Sequence, residues 1–317
     1  MSSITAPNKY TGQSAAARLR CLLDEEGKTI FCPGVYDGIS ARLALNTGFN
    51  CLYMTGAGTA ASMLGMPDLG LATMNDMVQN ASMIASLDRS VPVIADADTG
   101  YGGPGSVART VKAYIAGGVA GMHLEDQVQT KRCGHLANKE LVDDVYLSRV
   151  RAAVLAQEEM RRVTGGFADI VIIARTDSLQ SLGYEVAVSR LRKAIAAGAD
   201  VGFLGGMTTM DQCSRACKDL SPTPVLLNMV AGGITPDLSV EEANRLGYKI
   251  VIFPAVALGP VSEVVEAAMK DLKQNQRARV SQAQREGGVK QFFNLLGQQE
   301  CMEFDKRAGG VAFADGA

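Results

Sequence analysis

Two patterns of apolar and polar positions alternate along this chain: a short unbroken apolar run, then a longer stretch with apolar residues three and four apart. The runs cover 29–33, 51–55, 91–96, 121–125, 170–174, 201–204, 225–227 and 250–253. Each is long enough for one strand buried on both faces, and none alternates as a half-exposed strand does. Stretches with helical spacing lie at 18–26, after the first run to about Leu45, and at 75–85, 104–116, 143–164 and 183–197. In 104–116, for example, Val107, Val111, Tyr114 and Ile115 share one face. Strand-helix-strand repeats of this length set parallel strands side by side with their carboxyl ends at one edge. Eight such units predict an α/β fold, a (β/α)8 TIM-type barrel with an additional C-terminal helical extension. A doubly wound parallel sheet is the alternative, because strand number alone does not prove closure. The expected division is 1–272 for the barrel with its polar N-terminal arm and 273–317 for the extension. After a charged stretch, Phe292, Phe293, Leu295 and Leu296 resume helical spacing, to pack either on the chain's own barrel wall or on a partner subunit.

Barrel chemistry sits where strands end, so Thr55, Asp96, Glu125, Arg175 and Asn228 are expected to ring one mouth. Two neighbouring ends carry more. The 91–96 run passes into Asp96-Ala97-Asp98-Thr99-Gly100-Tyr101-Gly102-Gly103, and the 121–125 run ends in Glu125-Asp126-Gln127. Asp96, Asp98 and Glu125 then converge on one point, and clustered hard oxygen ligands suit Mg2+ or Mn2+. The alternative for these carboxylates is strand-end solubility and capping, with Asp98 before Thr-Gly as a turn residue. An internal echo aligns 118–125 with 198–205; the first copy ends in Glu125 and the second in Gly205, which faces the mouth without a side chain.

Composition narrows the partners. Thirty-one basic and 33 acidic residues leave a net charge of −2, which gives no electrostatic case for nucleic acid or an anionic membrane. No apolar stretch approaches the roughly 20 residues of a membrane span, and the first twenty residues lack the apolar centre of a signal peptide. Scattered single cysteines fit a reducing compartment, so a cytoplasmic location is expected; Arg18 and Arg20 leave a mitochondrial one open. Cys213 and Cys217 share a helix face and read as packing. Cys133 differs, because Lys131, Arg132 and His135 flank it, and positive neighbours lower a thiol's pKa.

Lys131-Arg132-Cys133-Gly134-His135, together with Leu124-Glu125-Asp126-Gln127 and the Asp96–Gly102 segment, resembles the isocitrate lyase and phosphoenolpyruvate mutase superfamily. Further matching stretches are Tyr53-Met54-Thr55-Gly56-Ala57-Gly58, Met66-Pro67-Asp68-Leu69-Gly70, Ala174-Arg175-Thr176-Asp177 and Asn228-Met229-Val230, so the likeness runs from Pro33 to about Pro260. The Lys-Arg-Cys-Gly-His signature points to the carbon-carbon lyase branch, which includes methylisocitrate lyase, dimethylmalate lyase and oxaloacetate hydrolase. The resemblance implies Mg2+ on Asp96 and Asp98, with Glu125 and Asp68 acting directly or through its waters. It implies that the backbone N–H groups of Thr55, Gly56 and Ala57 grip a carboxylate of a small-molecule substrate, that Arg175 neutralises substrate charge, and that Asn228 contributes to binding. Cys133 would donate a proton to the departing fragment, with Lys131 and His135 around it; Tyr53 is the candidate base on a 2-hydroxyl, and Gly134 lets the lid approach. The implied reaction is retro-aldol cleavage of a 2-hydroxy di- or tricarboxylate. His123, mid-strand, reads as a satisfied interior histidine.

Two positions depart from the pattern: relatives usually carry Glu where this chain has Gly205, and often another where it has Ala231. Without them Arg175 is expected to lack a protein partner, which is costly for a buried charge. Pro254 stands where oxaloacetate hydrolases tend to have serine, which leans toward the lyases acting on substituted malates. The resemblance also implies a homotetramer with the C-terminal helix exchanged between subunits.

Overall fold

Eight parallel strands follow one another around a ring in sequence order, and the last pairs with the first. They are β1 (Ile30–Val35), β2 (Leu52–Met54), β3 (Val93–Asp96), β4 (Gly121–Glu125), β5 (Val171–Thr176), β6 (Val201–Leu204), β7 (Val225–Asn228) and β8 (Ile250–Phe253). The pairing of Ile30 with Ile250 through Pro33 with Phe253 closes the barrel and excludes the open doubly wound sheet. The structure, a computed structural model, describes residues 12–134 and 136–313.

The helices, in chain order, are α1 (Ala15–Asp24), α2 (Gly38–Thr47), the short α3 (Gly56–Thr59), α4 (Met74–Leu87), α5 (Pro104–Gly117), α6 (Asp144–Val163), the short α7 (Leu179–Leu182) and α8 (Tyr184–Ala196). They continue with α9 (Met210–Leu220), α10 (Val240–Leu246), α11 (Leu258–Asn275), α12 (Gln282–Leu295) and α13 (Gln298–Arg307). Local chemistry fixes where several begin. Asp37 with Ser40, Thr73 with Asp76, Thr209 with Gln212 and Ser239 with Glu242 form reciprocal capping boxes. Pro104 opens α5, where its missing N–H costs nothing.

The strand residues divide into two cores. Cys32, Cys51, Tyr53, Ile94, Ile173, Phe203, Leu226 and Ile252 fill the barrel interior, and α1 closes its lower end with Leu19. Arg20 fastens that plug, 2.7 Å from Asp169 and 2.8 Å from Asp200. The alternate strand residues, such as Met54, Met122, Ile172 and Val251, meet the helices in the second core. That arrangement holds the carboxyl ends of the strands on one rigid rim.

Two details differ from the apolar pattern. β1 extends to Val35, and β5 continues through Arg175 to Thr176, because ladder bonds persist after the apolar run stops. The C-terminal helices are largely exposed, although α13 touches the barrel through Glu300, 3.7 Å from Arg42 of α2. α11 buries none of its residues, leaving Val261, Val264, Val265, Met269 and Leu272 exposed. α12 kinks at Gly288 (φ 59°) and leaves Phe292 and Phe293 partly in solvent. No helix among the described residues is long and apolar enough to cross a membrane.

Candidate active site

Asp96 ends β3, beside His123 of β4 in the ladder, and the chain then turns sharply. Asp98 takes a left-handed conformation (φ 46°), and its N–H donates to Asp96 Oδ1 at 2.8 Å. Aspartate tolerates this region better than most residues because its short side chain can bond locally. Tyr114 of α5 donates its hydroxyl to the Asp96 carbonyl at 2.6 Å, tying the turn to the wall. Gly56 leaves room for Asp96: a Cβ there would stand 2.4 Å from Asp96 Oδ2.

Lys131 enters this pocket from the lid. Its Nζ lies 2.5 Å from Asp68 Oδ1 and 2.6 Å from Asp98 Oδ1. Burial works against that charge, but Asp98, Glu125, Asp96 and Asp68 outweigh it and hold the lysine pKa well above its usual value. Burial also raises the carboxyls: Asp98 is pushed up to about 6 against the pull of Lys131, and Asp96 and Glu125 rise for the same reason. The lysine is therefore a counter-ion to the carboxylates.

Glu125 corrects a second expectation. It does not converge with Asp96 and Asp98 on one point; it faces Arg175, with Oε2 3.0 Å from Nη1. Arg175 is not short of a partner either. Asp177 lies 3.0 Å from its Nη2, and the guanidinium sits 5.0 Å from the centre of the Phe203 ring. Asp177 supplies the carboxylate expected at position 205, and Gly205 makes way for it. Sequence reasoning missed this pairing, although Asp177 follows Arg175 by two residues, one past the end of β5.

Tyr53 and His123 meet inside the rim, with the phenol oxygen 2.8 Å from His123 Nε2. His123 is only half satisfied, because Nδ1 is buried without a partner. Burial lowers its pKa and keeps the ring neutral. Thr55 departs from its expected part: its N–H bonds the Val35 carbonyl at 3.1 Å, and its hydroxyl caps α3 by accepting from Gly58 N–H. Gly56 and Ala57 follow in the first turn of α3. Asn228 ends β7 with Oδ1 buried and unpartnered, and Arg175 Nε is in the same state.

Over the rim lies the lid. Gly134 rests against Arg175, where a Cβ would stand 2.4 Å from Nη2, so Cys133, which is half-buried, is held near the guanidinium. Lys139, which the sequence did not single out, donates to the Gly134 carbonyl at 2.5 Å and to Gln180 at 2.8 Å. Gln127, also missed, bonds both Glu125 and Asp177 at 3.0 Å. His135 lies outside the described residues.

The family model for phosphoenolpyruvate phosphomutase matches residues 19–276. The chain belongs to the phosphoenolpyruvate mutase and isocitrate lyase superfamily. Among its members, 2,3-dimethylmalate lyase of Eubacterium barkeri is 39% identical over 260 residues, covering 82% of this chain and 85% of that protein. The 2-methylisocitrate lyase of Shewanella oneidensis is 38% identical, with 81% and 84% covered. A crystal structure of 2,3-dimethylmalate lyase superposes with a TM-score of 0.90 at 52% identity, covering 96% of this chain and 98% of that one. Oxaloacetate acetylhydrolase bound to 3,3-difluorooxalacetate does so with a TM-score of 0.90 at 49% identity, covering 95% and 99%. This superfamily member therefore falls with the lyases and the hydrolase, and both activities occur among its near relatives.

Phosphonopyruvate hydrolase, a more distant superfamily structure, was crystallised with oxalate and Mg2+ (26% identity, TM-score 0.80, covering 93% and 99%). The donor set here suits that ion. Asp68, Asp96 and Asp98 are hard oxygen donors, the latter two are buried with raised pKa values, and two of the three already hold a cation in Lys131 Nζ. Among the described residues, no three acidic, histidine or cysteine side chains are drawn in around one point as a finished ligand shell.

Proposed function

We propose that the protein is a Mg2+-dependent carbon-carbon lyase. Its substrate is a 2-hydroxy di- or tricarboxylate of the substituted malate or methylisocitrate type, and its products are a 2-oxo acid and a second carboxylate. The observation that supports this reading is the seating of Gly134 against Arg175, which sets the lid backbone beside Cys133 over the charged rim. Mg2+ (or Mn2+), held by Asp96 and Asp98 with Asp68 and Glu125 behind them, would supply Lewis-acid stabilisation of the substrate's 2-oxygen.

This chain's own residues do the rest. Arg175, free at Nε, and Asn228, free at Oδ1, hold the substrate's remaining polar groups. Gly56 and Ala57 offer backbone N–H groups to its carboxylate. Tyr53, as phenolate, takes the 2-hydroxyl proton, and neutral His123, 2.8 Å away, can donate its Nε2–H to that phenolate. The carbon-carbon bond then breaks, with its electron pair passing to the departing carboxylate fragment. Cys133 transfers its proton to the carbanionic carbon of that fragment. The lid keeps bulk water from taking its place.

A second reading is hydrolysis of oxaloacetate, favoured by the 49% identity with oxaloacetate acetylhydrolase. Pro254 argues against it, since the end of β8 offers no hydroxyl to a hydrated ketone. The deciding experiment incubates the protein with Mg2+ and a panel of substituted malates, methylisocitrate, isocitrate and oxaloacetate, with EDTA controls. A chelation-sensitive 2-oxo acid from one hydroxy acid supports the lyase. Oxalate and acetate from oxaloacetate move the protein to the hydrolases, and Mg2+-dependent binding without turnover leaves a barrel that only binds. On the substrate found, Cys133→Ala should lower kcat by roughly 10^2 to 10^4-fold; unchanged turnover contradicts the proton-donor role.

A further inference from the structure

We propose that Gln127 is a positioning residue for Cys133, tying the lid to the two carboxylates that neutralise Arg175. The proposal deepens the lyase reading, since it concerns the thiol which that reading uses as its acid.

The Gln127 side chain is buried two residues beyond the end of β4. Its Oε1 accepts from the Arg132 N–H at 3.0 Å, and its Nε2 donates to the Arg132 carbonyl at 2.9 Å. One amide thus meets both backbone groups of residue 132, as a neighbouring strand would. The same Nε2 lies 3.0 Å from Glu125 Oε1 and 3.0 Å from Asp177 Oδ2. A group at this position must accept once and donate more than once, and among uncharged side chains of this length only glutamine does so.

Beyond Cys133, Lys139 grips the Gly134 carbonyl. The thiol is therefore bracketed: residue 132 is fixed by Gln127 and residue 134 by Lys139. Of the two clasps, Gln127 hydrogen-bonds the partners of Arg175, whereas Lys139 acts on the same carboxylates through its charge. Among the described residues Gln127 is thus the hydrogen-bonded link between the lid backbone and the charge cluster beneath it.

The Gln127 main chain is anchored separately. Its carbonyl accepts from Arg149 Nη1 at 2.8 Å, and it bridges Leu141 across an antiparallel pair. Changing the side chain therefore releases residue 132 without releasing β4. Leucine removes all of the amide's bonds. Glutamate keeps the length and can still accept from Arg132, but it donates nothing and adds a third carboxylate beside Glu125 and Asp177.

The test uses full-length Gln127→Leu and Gln127→Glu, with Cys133→Ala as a separate reference. The first readout is tryptic cleavage after Arg132, an exposed side chain on a clasped backbone, without substrate. The second is kcat and KM on the substrate found in the panel. Both Gln127 variants should be cut at this bond about ten- to a hundredfold faster, the size expected for losing hydrogen bonds that include charged partners. They should lose kcat by about the same factor, with KM changing much less. If Gln127→Leu does not fold, Gln127→Glu carries the test. Wild-type cleavage at this bond, acceleration at all sites alike, or a freed lid with unchanged kcat would each overturn the proposal. Cleavage is read without turnover, so it judges the clasp even if the lyase reading fails. Turnover retained in Cys133→Ala would overturn that reading while leaving the clasp measurement valid.

Discussion

Gly205 and Asp177 occupy one another's space: a Cβ at position 205 would lie 2.5 Å from Asp177 Oδ1. The second carboxylate on Arg175 therefore comes from two residues further along the chain, just past the end of β5, and position 205 has to be glycine for it to fit. The exchange keeps the guanidinium neutralised. It also means that restoring a strand-six glutamate adds a competitor to an occupied position.

Gly205→Glu is accordingly expected to destabilise the protein without redirecting its specificity. Overpacking costs about 1–3 kcal/mol, and two carboxylates in one place repel. Urea denaturation checks this, and pairing the change with Asp177→Gly should recover much of the loss. A Gly205→Glu protein as stable as wild type would show that Asp177 is not held there.

Much of this was legible before the fold was seen, for physical reasons. Strands buried on both faces must be continuous apolar runs, so the eight runs gave the barrel. Strand ends make its mouth, so Asp96, Arg175 and Asn228 were placed there. Side-chain partners were harder. Arg175 interrupts the apolar run that marks β5, which hid the i,i+2 relation to Asp177. Thr55 seemed to offer an N–H, but the ladder already uses it for Val35. Gln127 and Lys139 act through backbone atoms of the lid, and no spacing rule encodes where a loop folds back. Helix α9 was marked only by the shared face of Cys213 and Cys217, and it buries just Cys213, Ala216 and Leu220.

Lys131 competes with any cation for Asp68 and Asp98. Lys131→Met should therefore bind Mg2+ more tightly in calorimetry, by about tenfold, since it removes a full charge a few ångströms from the ion. The same variant without Mg2+ should melt lower than wild type, because two carboxylates lose their counter-ion. Weaker Mg2+ binding in Lys131→Met would instead make the lysine a supporter of the ion.

The thiols of α9 set an alkaline limit. Burial pushes Cys213 up to about 11 and Cys217 up to about 12, from an ordinary value of 9.0. A folded-state pKa above the unfolded one means that the stabilisation is complete below about pH 9 and is lost as pH rises through these values. Urea midpoints should fall between about pH 9 and about pH 11, and fall less steeply in Cys213→Ala/Cys217→Ala. Identical slopes would remove these thiols as a cause.

Helix α11 bears on assembly. It follows the last strand as α5 follows β3, yet Val107, Val111 and Tyr114 of α5 are fully buried, whereas Val261, Val264, Val265, Met269 and Leu272 of α11 are all exposed. Those five lie three and four residues apart on one face, and burying each would contribute about 1.5–3 kcal/mol. Phe292 and Phe293 of α12 present matching apolar surface that their own barrel does not cover. The expected exchange of C-terminal helices between subunits of a homotetramer would cover both surfaces at once. Light scattering should give four times the chain mass, and Val264→Lys with Met269→Lys should lower both the mass and the melting temperature together. A protein monomeric at micromolar concentration would rule the exchange out and leave α11 an exposed apolar helix.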